Sequence, residues 1–533
     1  MAILPAKING NYDRRMSKRV FGSSLPILGY AFFVAALFLF LKGYQFNTDD
    51  QAEHLPQVYQ LLDPQLYPHD YYVNDANSVF TVRFYYERFA LIVARTVGLE
   101  WGLFAFTFLS ATLMAFSFGK IAERLFSNRW SVLLAPFLAL IVFYGFTIGG
   151  VSVMYASFIS STIAKGLSAF SLWKFLEKKV LISGLLLGIA TLFQPLVGLQ
   201  LFLVLTAYQL LVGRDFKKTI ALVASYVALA AFVLVPVFYI QLSQKLTVDA
   251  DWFYQVFYGF RNHLHYYPSI FPAKSFVKFG MLLALGLVSY VYLKPRDYKF
   301  YPAFIILNLF GLLIYSVGLE VFDVYVLGKT QWFKMTIWME AFSAIMVAGF
   351  LGEFLSGFSF SSFLKKRVFL ISSVTATVLL LAITNSKYLP KKYQQKYMVG
   401  NRVVGDLEQM HSWISENTAK DVVVLTSPHD NGFSCVAKRS MPSHWQAIMH
   451  QSFFIVQWYE DFADIYGVSL ENLKGTDPRA HAVELYASRN YRGARKHIDY
   501  RLDNIETCQF TDELGPVVRQ EGNWILTEFL PEQ

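Results

Sequence analysis

Residues 25–43 read LPILGYAFFVAALFLFLKG, an apolar run with no charge before Lys42. At 1.5 Å per residue, a helix of this length crosses a hydrocarbon core about 30 Å thick. The chain continues almost at once with Asn47-Thr48-Asp49-Asp50-Gln51-Ala52-Glu53-His54. This stretch predicts a first transmembrane helix with four ionisable side chains at its mouth.

Apolar blocks of similar length recur along the chain. Of its 533 residues, 55% are hydrophobic and only 16% are charged, which is less charge than a soluble protein of this length carries. We therefore predict an all-α polytopic membrane bundle of about eleven transmembrane helices. The predicted spans are residues 25–43, 99–118, 131–149, 151–172, 180–194, 196–212, 218–240, 276–293, 300–318, 335–354 and 368–385.

Lysine and arginine occupy every second connection between these spans, and positive connections are retained in the cytoplasm. The basic groups are Lys7/Arg14/Arg15/Lys18/Arg19, Lys120/Arg124/Arg129, Lys174/Lys178/Lys179, Arg214/Lys217/Lys218, Lys294/Arg296/Lys299 and Lys365/Lys366/Arg367. The pattern predicts a cytoplasmic N-terminus (residues 1–24) and, with an odd number of spans, an external C-terminus. It also accounts for much of the net charge of +9 without a nucleic-acid partner.

The chain divides into a bundle, residues 25–385, and a polar C-terminal tail, residues 386–533. The tail is long enough to close its own core. It contains an amphipathic helix over 403–416, a buried strand over 422–425 and a late strand over 524–526, which together predict an external α/β domain. Cys435 and Cys508 both lie in the tail; they either pair in an oxidising compartment or stay free.

The first external loop, residues 44–98, contains the polar cluster. Clustered carboxylates at the mouth of a membrane bundle are candidates for a functional site, so Asp49 and Asp50 are the predicted catalytic residues. A helix N-cap with a solvated acid is the alternative. Glu53 and His54 share a helix face with Asp50 and are predicted to bind substrate, although Glu53 also fits a capping role.

Two interfacial helices are predicted in the same loop. Residues 51–62 form the first, which Pro64 ends. Residues 82–97 form the second, whose apolar positions have helical spacing. Arg83 and Arg88 of this second helix are predicted to bind a phosphate.

Further candidates come from the later loops. Arg261, His263 and His265 are predicted substrate contacts; the two histidines alternate, so an extended segment would place them on one face. Metal binding by this pair is a weaker alternative, because no third ligand is near in sequence. Lys334 is predicted to meet a lipid phosphate, with a snorkelling lysine as the alternative. For Lys165 we expect snorkelling at the cytoplasmic end of its span.

Two further features lie within the predicted bundle, Glu340 and the dipeptide Gln194-Pro195. Glu340 lies within a span, where a charge is costly unless it faces a partner or a polar cavity. Gln194-Pro195 divides residues 180–212 into two helices that reverse at the external surface, because proline disfavours helix at the residue before it.

The loop and tail motifs resemble the GT-C superfamily of integral membrane glycosyltransferases, closest to a group of bacterial polytopic proteins near it. The matching stretches are Asp49-Asp50 through Asp63-Pro64, Gln194-Pro195-Leu196-Val197-Gly198-Leu199, Arg261-Asn262-His263-Leu264-His265-Tyr266-Tyr267-Pro268 and Gln457-Trp458-Tyr459-Glu460. The resemblance covers most of the chain in architecture, and its motifs are short. It implies a protein of the bacterial inner membrane whose C-terminal domain is periplasmic.

The resemblance also implies a reaction. A sugar would pass from a polyprenyl-phosphate donor, with inversion, to a glycan, lipid or protein acceptor on the external face. Asp49 would serve as general base, and Asp50 would position it or share a divalent cation with it; no cofactor beyond that ion is implied. A transporter or flippase of lipid-linked sugars is the first alternative, although no internal repeat is found in the sequence. A non-catalytic membrane scaffold is the second.

Overall fold

The computed structural model describes residues 23–48, 50–243, 246–356, 366–384, 397–400, 405–446, 448–449, 451–473, 477–488, 497–508 and 515–529. This part of the chain is mostly helical and ends in a small sheet. Asp49 and residues 403–404 are outside it. The bundle and first-loop helices are α1 Leu25–Lys42, α2 Asp50–Leu62, α3 Tyr71–Ser78, α4 Phe84–Thr96, α5 Leu99–Leu125, α6 Arg129–Phe137, α7 Ser160–Leu176, α8 Val180–Phe193, α9 Pro195–Tyr208, α10 Phe216–Ser243, α11 Ala250–Tyr254, α12 His263–Tyr266, α13 Ala273–Leu293, α14 Phe300–Glu320, α15 Thr336–Leu355 and α16 Lys366–Thr384.

Seven helical stretches in the described residues are long and apolar enough to cross a membrane. They are Leu25–Lys42, Leu99–Leu125, Pro195–Gly213, Phe216–Ser243, Ala273–Leu293, Phe300–Glu320 and Tyr325–Leu355. Each overlaps a predicted span, so the membrane bundle is confirmed in outline. The other four predicted spans fall on α6, α7, α8 and α16, which are not among these seven.

The C-terminal domain is α/β, as the sequence predicts. Its elements are β2 Tyr397–Met398, α17 Asp406–Asn417, β3 Val424–Leu425, α18 Phe433–Val436, α19 Ser452–Tyr466, α20 Pro478–Ala487, β4 Tyr500–Asn504, β5 Val517–Glu521 and β6 Trp524–Glu528. One sheet has the order β3-β4-β6-β5, in which β3 is parallel to β4 and the other pairs are antiparallel. The sheet and α17 share a small core that includes Met410, Leu502 and Leu526.

The C-terminal domain is joined to the bundle by more than one contact. Strand β1, Tyr44–Gln45, follows α1 directly and pairs in parallel with β2. The largest hydrophobic core runs without a break from the bundle through the first loop into α19, where Phe454 and Trp458 are buried. Domain and membrane bundle therefore fold around one apolar core, with the α17 cluster as a satellite.

Helix α2 begins at Asp50 and ends before Asp63 and Pro64, in agreement with the prediction. It also contains Pro56, which has no N–H to bond the carbonyl of Ala52 one turn earlier. The Cys435 thiol, 3.4 Å away, donates to that carbonyl instead. Cys435 and Cys508 are both free and buried, so the predicted alternative of free thiols is the one observed.

The region between α6 and α7 differs from the prediction of two long helices, 131–149 and 151–172. Helix α6 continues as a π-helix only to Val142, and α7 starts at Ser160. The intervening segment bends at Gly149 and Gly150, whose φ angles of 71° and 68° favour glycine. Irregular backbone at membrane depth is tolerated only where other groups satisfy it.

Helices α8 and α9 form the hairpin that Gln194-Pro195 predicts. Gln194 is extended, with φ −145° and ψ 98°, and a Cβ on Gly198 of α9 would lie 2.7 Å from the carbonyl oxygen of Leu187 on α8. On its other side α8 packs against α10 through Gly188, where a Cβ would lie 2.8 Å from Leu229 Cβ and 2.9 Å from the Tyr226 carbonyl oxygen.

Replacing Gly188 by valine should separate α8 from α10, because the backbone carbonyl cannot move aside. We expect a loss of about 1–3 kcal/mol, seen as a lower melting temperature of the detergent-solubilised protein. Gly280→Val on α13 is the matched control, since a Cβ there meets nothing within 4 Å. Equal melting temperatures for the two variants would contradict this packing.

Candidate functional site

Asp50 is the first residue of α2, and its side chain is exposed. Its neighbours hold the start of the helix in place. The backbone N–H of Asn47 donates to Gln51 Oε1 at 3.0 Å, and Gln51 Nε2 donates to the Phe158 carbonyl at 3.0 Å. The carboxylate of Asp50 is thus presented at a fixed point, where the first loop meets the irregular segment before α7.

Three cations from three separate elements are within electrostatic range of Asp50. Lys334 precedes α15, Lys165 lies in the second turn of α7 and Arg83 precedes α4. Lys165 is only 2% exposed and Lys334 is half-buried, and Lys165 is within electrostatic range of the positive charge of Lys334. Two lysines that repel each other at partly desolvated positions make this a favourable place for an anion.

Lys165 is not the snorkelling lysine that the sequence predicts. Its Nζ donates to the Ser152 carbonyl at 2.6 Å and lies 3.8 Å from the ring centre of Tyr155. The prediction is wrong because α7 begins at Ser160, nine residues after the expected start of 151, so Lys165 lies near the opposite end of its helix from the one expected. Glu340, fully buried on α15, is within electrostatic range of Lys165.

Glu53 and Arg83 form a buried ion pair one turn beyond Asp50. Arg83 Nη1 lies 2.5 Å from Glu53 Oε1, and the Tyr72 hydroxyl donates to the same oxygen at 3.1 Å. The C-terminal domain closes the arrangement through Ile448, whose N–H donates to Glu53 and whose carbonyl accepts from Arg83 at 3.2 Å. Burial raises the pKa of Glu53, and the Arg83 charge opposes that shift.

Arg261 reaches the same centre from the other side. Its guanidinium lies 5.1 Å from the ring centre of Trp445 and 5.5 Å from that of Trp458, and it is within electrostatic range of Glu53. Burial lowers the pKa of Arg261 to about 10. Arg261 is therefore a desolvated cation within electrostatic range of the Glu53–Arg83 pair, and its contact with a substrate stays a prediction.

The structure does not bring the other candidates together in the same way. His263–Tyr266 is helical, so the shared face that an extended segment would give the two histidines does not apply. His265 is exposed, and the side chain of His263 lies outside the described residues. Arg88 is half-buried and lies 5.1 Å from the ring centre of Phe84.

His54 is 1% exposed and packs edge-on against Tyr86 with ring centres 5.5 Å apart. Burial lowers the pKa of His54 well below its ordinary value, and the Arg83 charge lowers it further. His54 is therefore a neutral imidazole in the core, one helical turn along α2 from Asp50.

Two cavities flank the Glu53–Arg83 pair, and Tyr72 lines both. The first, which we call the α4–α10 cavity, has a volume of about 20 Å³ and is lined by Arg83, Glu87, Val237 and Gln241. The second, the seam cavity, also has a volume of about 20 Å³ and lies between α2–α3 and the C-terminal domain. The ion pair therefore lies between two small cavities, each with room for about one water molecule.

A metal ion was predicted as an ion shared by Asp49 and Asp50 and, as a weaker alternative, at His263 and His265. In the described residues no three His, Cys, Asp or Glu side chains come together as a ligand set. Asp49 lies outside those residues, so a cation at this pair stays a prediction.

Several residues of this region were missed at the sequence level. Lys165 was assigned to the wrong end of its helix. Glu87 was passed over, although it lies on the predicted 82–97 helix one turn from Arg83 and between two arginines. The Asp70–His444 pair, 2.7 Å apart and joining the loop to the C-terminal domain, had no local signal, because its members are 374 residues apart.

The described fold and site define a polytopic helical membrane protein whose first loop is bound to a C-terminal α/β domain. Residues 405–465 of that domain match the family model of a domain of unknown function, DUF6798. The matched segment runs from α17 to near the end of α19 and includes His444, Trp445 and Ile448 of the site. No curated protein matches the chain.

Glu87 should make stability depend on pH. Burial raises the pKa of Glu87 to about 7, whereas its ordinary pKa is 4.5. Between these two pH values the folded state keeps a proton that the unfolded state has released. The protonated Glu87 side chain therefore contributes roughly 3 kcal/mol to the free energy of unfolding at low pH. This contribution is lost as the pH rises through 7. The melting temperature of the wild type, relative to Glu87→Gln, should therefore fall between pH 5 and pH 8.

The control is Glu471→Gln, which replaces an exposed glutamate of the C-terminal domain. Its melting temperature should track that of the wild type across the same range. A difference between wild type and Glu87→Gln that is constant with pH would contradict the account.

Proposed function

We propose that the chain is an inverting glycosyltransferase of the GT-C type, which transfers a sugar from a polyprenyl-phosphate donor to an acceptor on the external face of the membrane. The observation that carries the proposal is the exposed Asp50 carboxylate within electrostatic range of Lys334, Lys165 and Arg83. Within the described residues, the Asp50 side chain has no direct hydrogen bond or ion pair, so its oxygens are open to a ligand.

This arrangement suits both halves of the reaction. A carboxylate of the Asp49-Asp50 pair takes the proton from the acceptor hydroxyl as its oxygen attacks the anomeric carbon. The bond from that carbon to the phosphate oxygen breaks, and the electron pair leaves with the polyprenyl phosphate. Lys334 and Lys165 stabilise the charge that develops on this phosphate, in a site where fixed cations need no reorganisation.

The membrane topology belongs to the same proposal. We place eleven spans in a bacterial inner membrane, with residues 1–24 in the cytoplasm and the C-terminal domain outside. The contact between two predicted cytoplasmic loops supports this topology. Arg124 pairs with Asp297 at 3.0 Å, and Arg296 donates to Ser127 Oγ at 2.8 Å. Loops of like predicted orientation thus meet at one end of the bundle.

The apolar surface beside the α4–α10 cavity is the proposed approach for the donor. The wall of this cavity includes Val237 and Gln241 at the end of α10, where the neighbouring Phe238 and Leu242 are exposed apolar side chains. An apolar rim that leads to Arg83 fits an amphiphile with an isoprenoid tail and a phosphate head.

Asp50→Asn should lower glycosyl transfer by about 10²–10⁴-fold, the usual contribution of a general base. The assay uses purified protein in nanodiscs with a panel of radiolabelled polyprenyl-phosphate sugars and membrane acceptors, and it counts released polyprenyl phosphate. Asp49→Asn is measured alongside, because the base is one member of this pair. Asp63→Asn is the matched control, since Asp63 lies at the other end of α2 and binds Lys420.

Full turnover by both Asp49→Asn and Asp50→Asn would overturn the proposed mechanism. Equal binding of lipid-linked sugar by all variants without turnover by the wild type would favour a transporter or a scaffold. Lys334→Met should raise the KM for the donor. It should also slow cleavage of the bond between the sugar and the lipid phosphate, because the charge that develops on the phosphate loses one cation.

A further inference from the structure

A third and larger cavity, which we call the interfacial cavity, has a volume of about 250 Å³. One water molecule needs about 10–15 Å³ of such space, so this cavity is close to the lower end of the range for small-molecule sites, about 300–1,000 Å³. Tyr59, in the last turn of α2, lines it, whereas Asp50 is the first residue of that helix. The cavity is therefore separate from the proposed reaction centre. Its wall also includes Phe46 after β1, Glu100 and Trp101 of α5, and Lys438 of the C-terminal domain.

The interfacial cavity lies at the level of the membrane surface. The chain leaves the bundle at the end of α1, just before Phe46, and returns to it at the start of α5; both helices are long and apolar enough to cross a membrane. Trp101, in the first turn of α5, is 59% exposed, and Val97, just before that helix, is 65% exposed. Tryptophan is enriched where a span meets the membrane surface. One side of the cavity is therefore next to lipid.

The cavity contains one cation and one carboxylate that do not pair with each other. Within the part of the chain that the structure describes, the side chains of Lys438 and Glu100 make no hydrogen bond or ion pair. The Lys438 ammonium lies 4.9 Å from the ring centre of Tyr59, a cation–π contact that holds it at the cavity wall. Both charged side chains are half-buried. Each has lost part of its hydration without gaining a direct ion pair, which favours a ligand that carries both signs of charge.

The backbone at Lys438 is a second sign of a binding role. Its φ angle of 53° is in the left-handed region, and it follows the C-cap of α18, where glycine is the usual residue. The guanidinium of Arg439 fixes this turn by donating to the carbonyls of Ala437 and Lys438 at 3.3 and 3.0 Å. Strained backbone of this kind is concentrated at ligand sites. A lysine in a position suited to glycine is therefore consistent with a ligand for its ammonium group.

The lining side chains define the ligand class. Lys438 is a compact point charge that suits a phosphate, and the Glu100 carboxylate accepts charge-assisted hydrogen bonds from a primary ammonium. The aromatic faces of Phe46 and Tyr59 also favour a cation, and Trp101 offers an apolar surface to the glycerol and acyl chains. A purely anionic headgroup would meet Glu100, and a quaternary ammonium has no N–H to donate to it.

We propose that the interfacial cavity binds the headgroup of a zwitterionic phospholipid with a primary amine, of the phosphatidylethanolamine type. The phosphate binds Lys438, and the ammonium binds Glu100. This inference goes beyond the proposed function and does not depend on it.

Native mass spectrometry of the full-length protein in detergent measures the dissociation constant of the first bound lipid. The probes are phosphatidylethanolamine, phosphatidylglycerol and phosphatidylcholine with the same acyl chains, and we expect the first to bind at least tenfold more tightly than the other two. Glycerophosphoethanolamine and inorganic phosphate, added at the concentration of the lipid, should not displace it, because they lack the chains that pack beside Trp101. Displacement by either would overturn the lipid assignment and identify a site for soluble phosphates.

Three variants test the residues. Lys438→Gly removes the cation and relaxes the backbone, so it should keep the melting temperature of the wild type and bind phosphatidylethanolamine at least tenfold more weakly. Glu100→Gln keeps the side-chain volume and should weaken binding by a similar factor. Lys294→Gly is the matched control, because Lys294 follows α13 with a φ angle of 44°. This control should bind the lipid as the wild type does.

The outcomes separate this inference from the proposed function. Wild-type binding by both Lys438→Gly and Glu100→Gln would overturn the site, as would an equal loss of binding in Lys294→Gly and Lys438→Gly. Equal binding of the three lipids by the wild type would overturn the zwitterionic headgroup. These measurements need no glycosyl transfer, so their failure leaves the proposed function standing. A protein without transfer activity that binds phosphatidylethanolamine through Lys438 and Glu100 supports the lipid site alone.

Discussion

The buried pair between Glu53 and Arg83 is the interaction on which the arrangement depends. It joins α2 to the start of α4, and the backbone of Ile448 bonds both partners, so three distant parts of the chain meet at one point. Removing one member of such a pair leaves an uncompensated charge in a desolvated place, at a cost of about 3–5 kcal/mol. The pair therefore fixes the C-terminal domain against the first loop and holds the two cavities apart.

The irregular segment between α6 and α7 is the second constraint. Its carbonyl groups at Ser152 and Phe158 are bonded by Lys165, Gln51 and Tyr86, since no helix satisfies them. The same bonds place the Lys165 ammonium near Asp50. The side chains that bond the irregular backbone therefore also form a polar centre. Irregular backbone in membrane proteins usually occurs where protein groups satisfy it in this way.

Much of the fold follows from sequence patterns, because long apolar blocks and alternating basic loops act locally. The helix that opens at Asp50 and the break at Gln194 follow from capping and proline geometry. The errors come from tertiary contacts. Lys165 was assigned to the wrong end of its helix because α7 starts only at Ser160, after a segment whose carbonyls are bonded by side chains from other elements. The helical turn at His263 has no clear signal in the sequence. Nothing local predicts that Cys435 would bond the carbonyl freed by Pro56.

The central claim is that a lipid phosphate binds between the two lysines beside Asp50. The most direct measurement is a cryo-electron microscopy structure of the protein in nanodiscs with polyprenyl phosphate. The account predicts density for the phosphate within hydrogen-bonding distance of the Lys334 and Lys165 ammonium groups, with the isoprenoid chain along the apolar surface beside the α4–α10 cavity. A phosphate bound elsewhere, with both lysines facing protein groups alone, would contradict it.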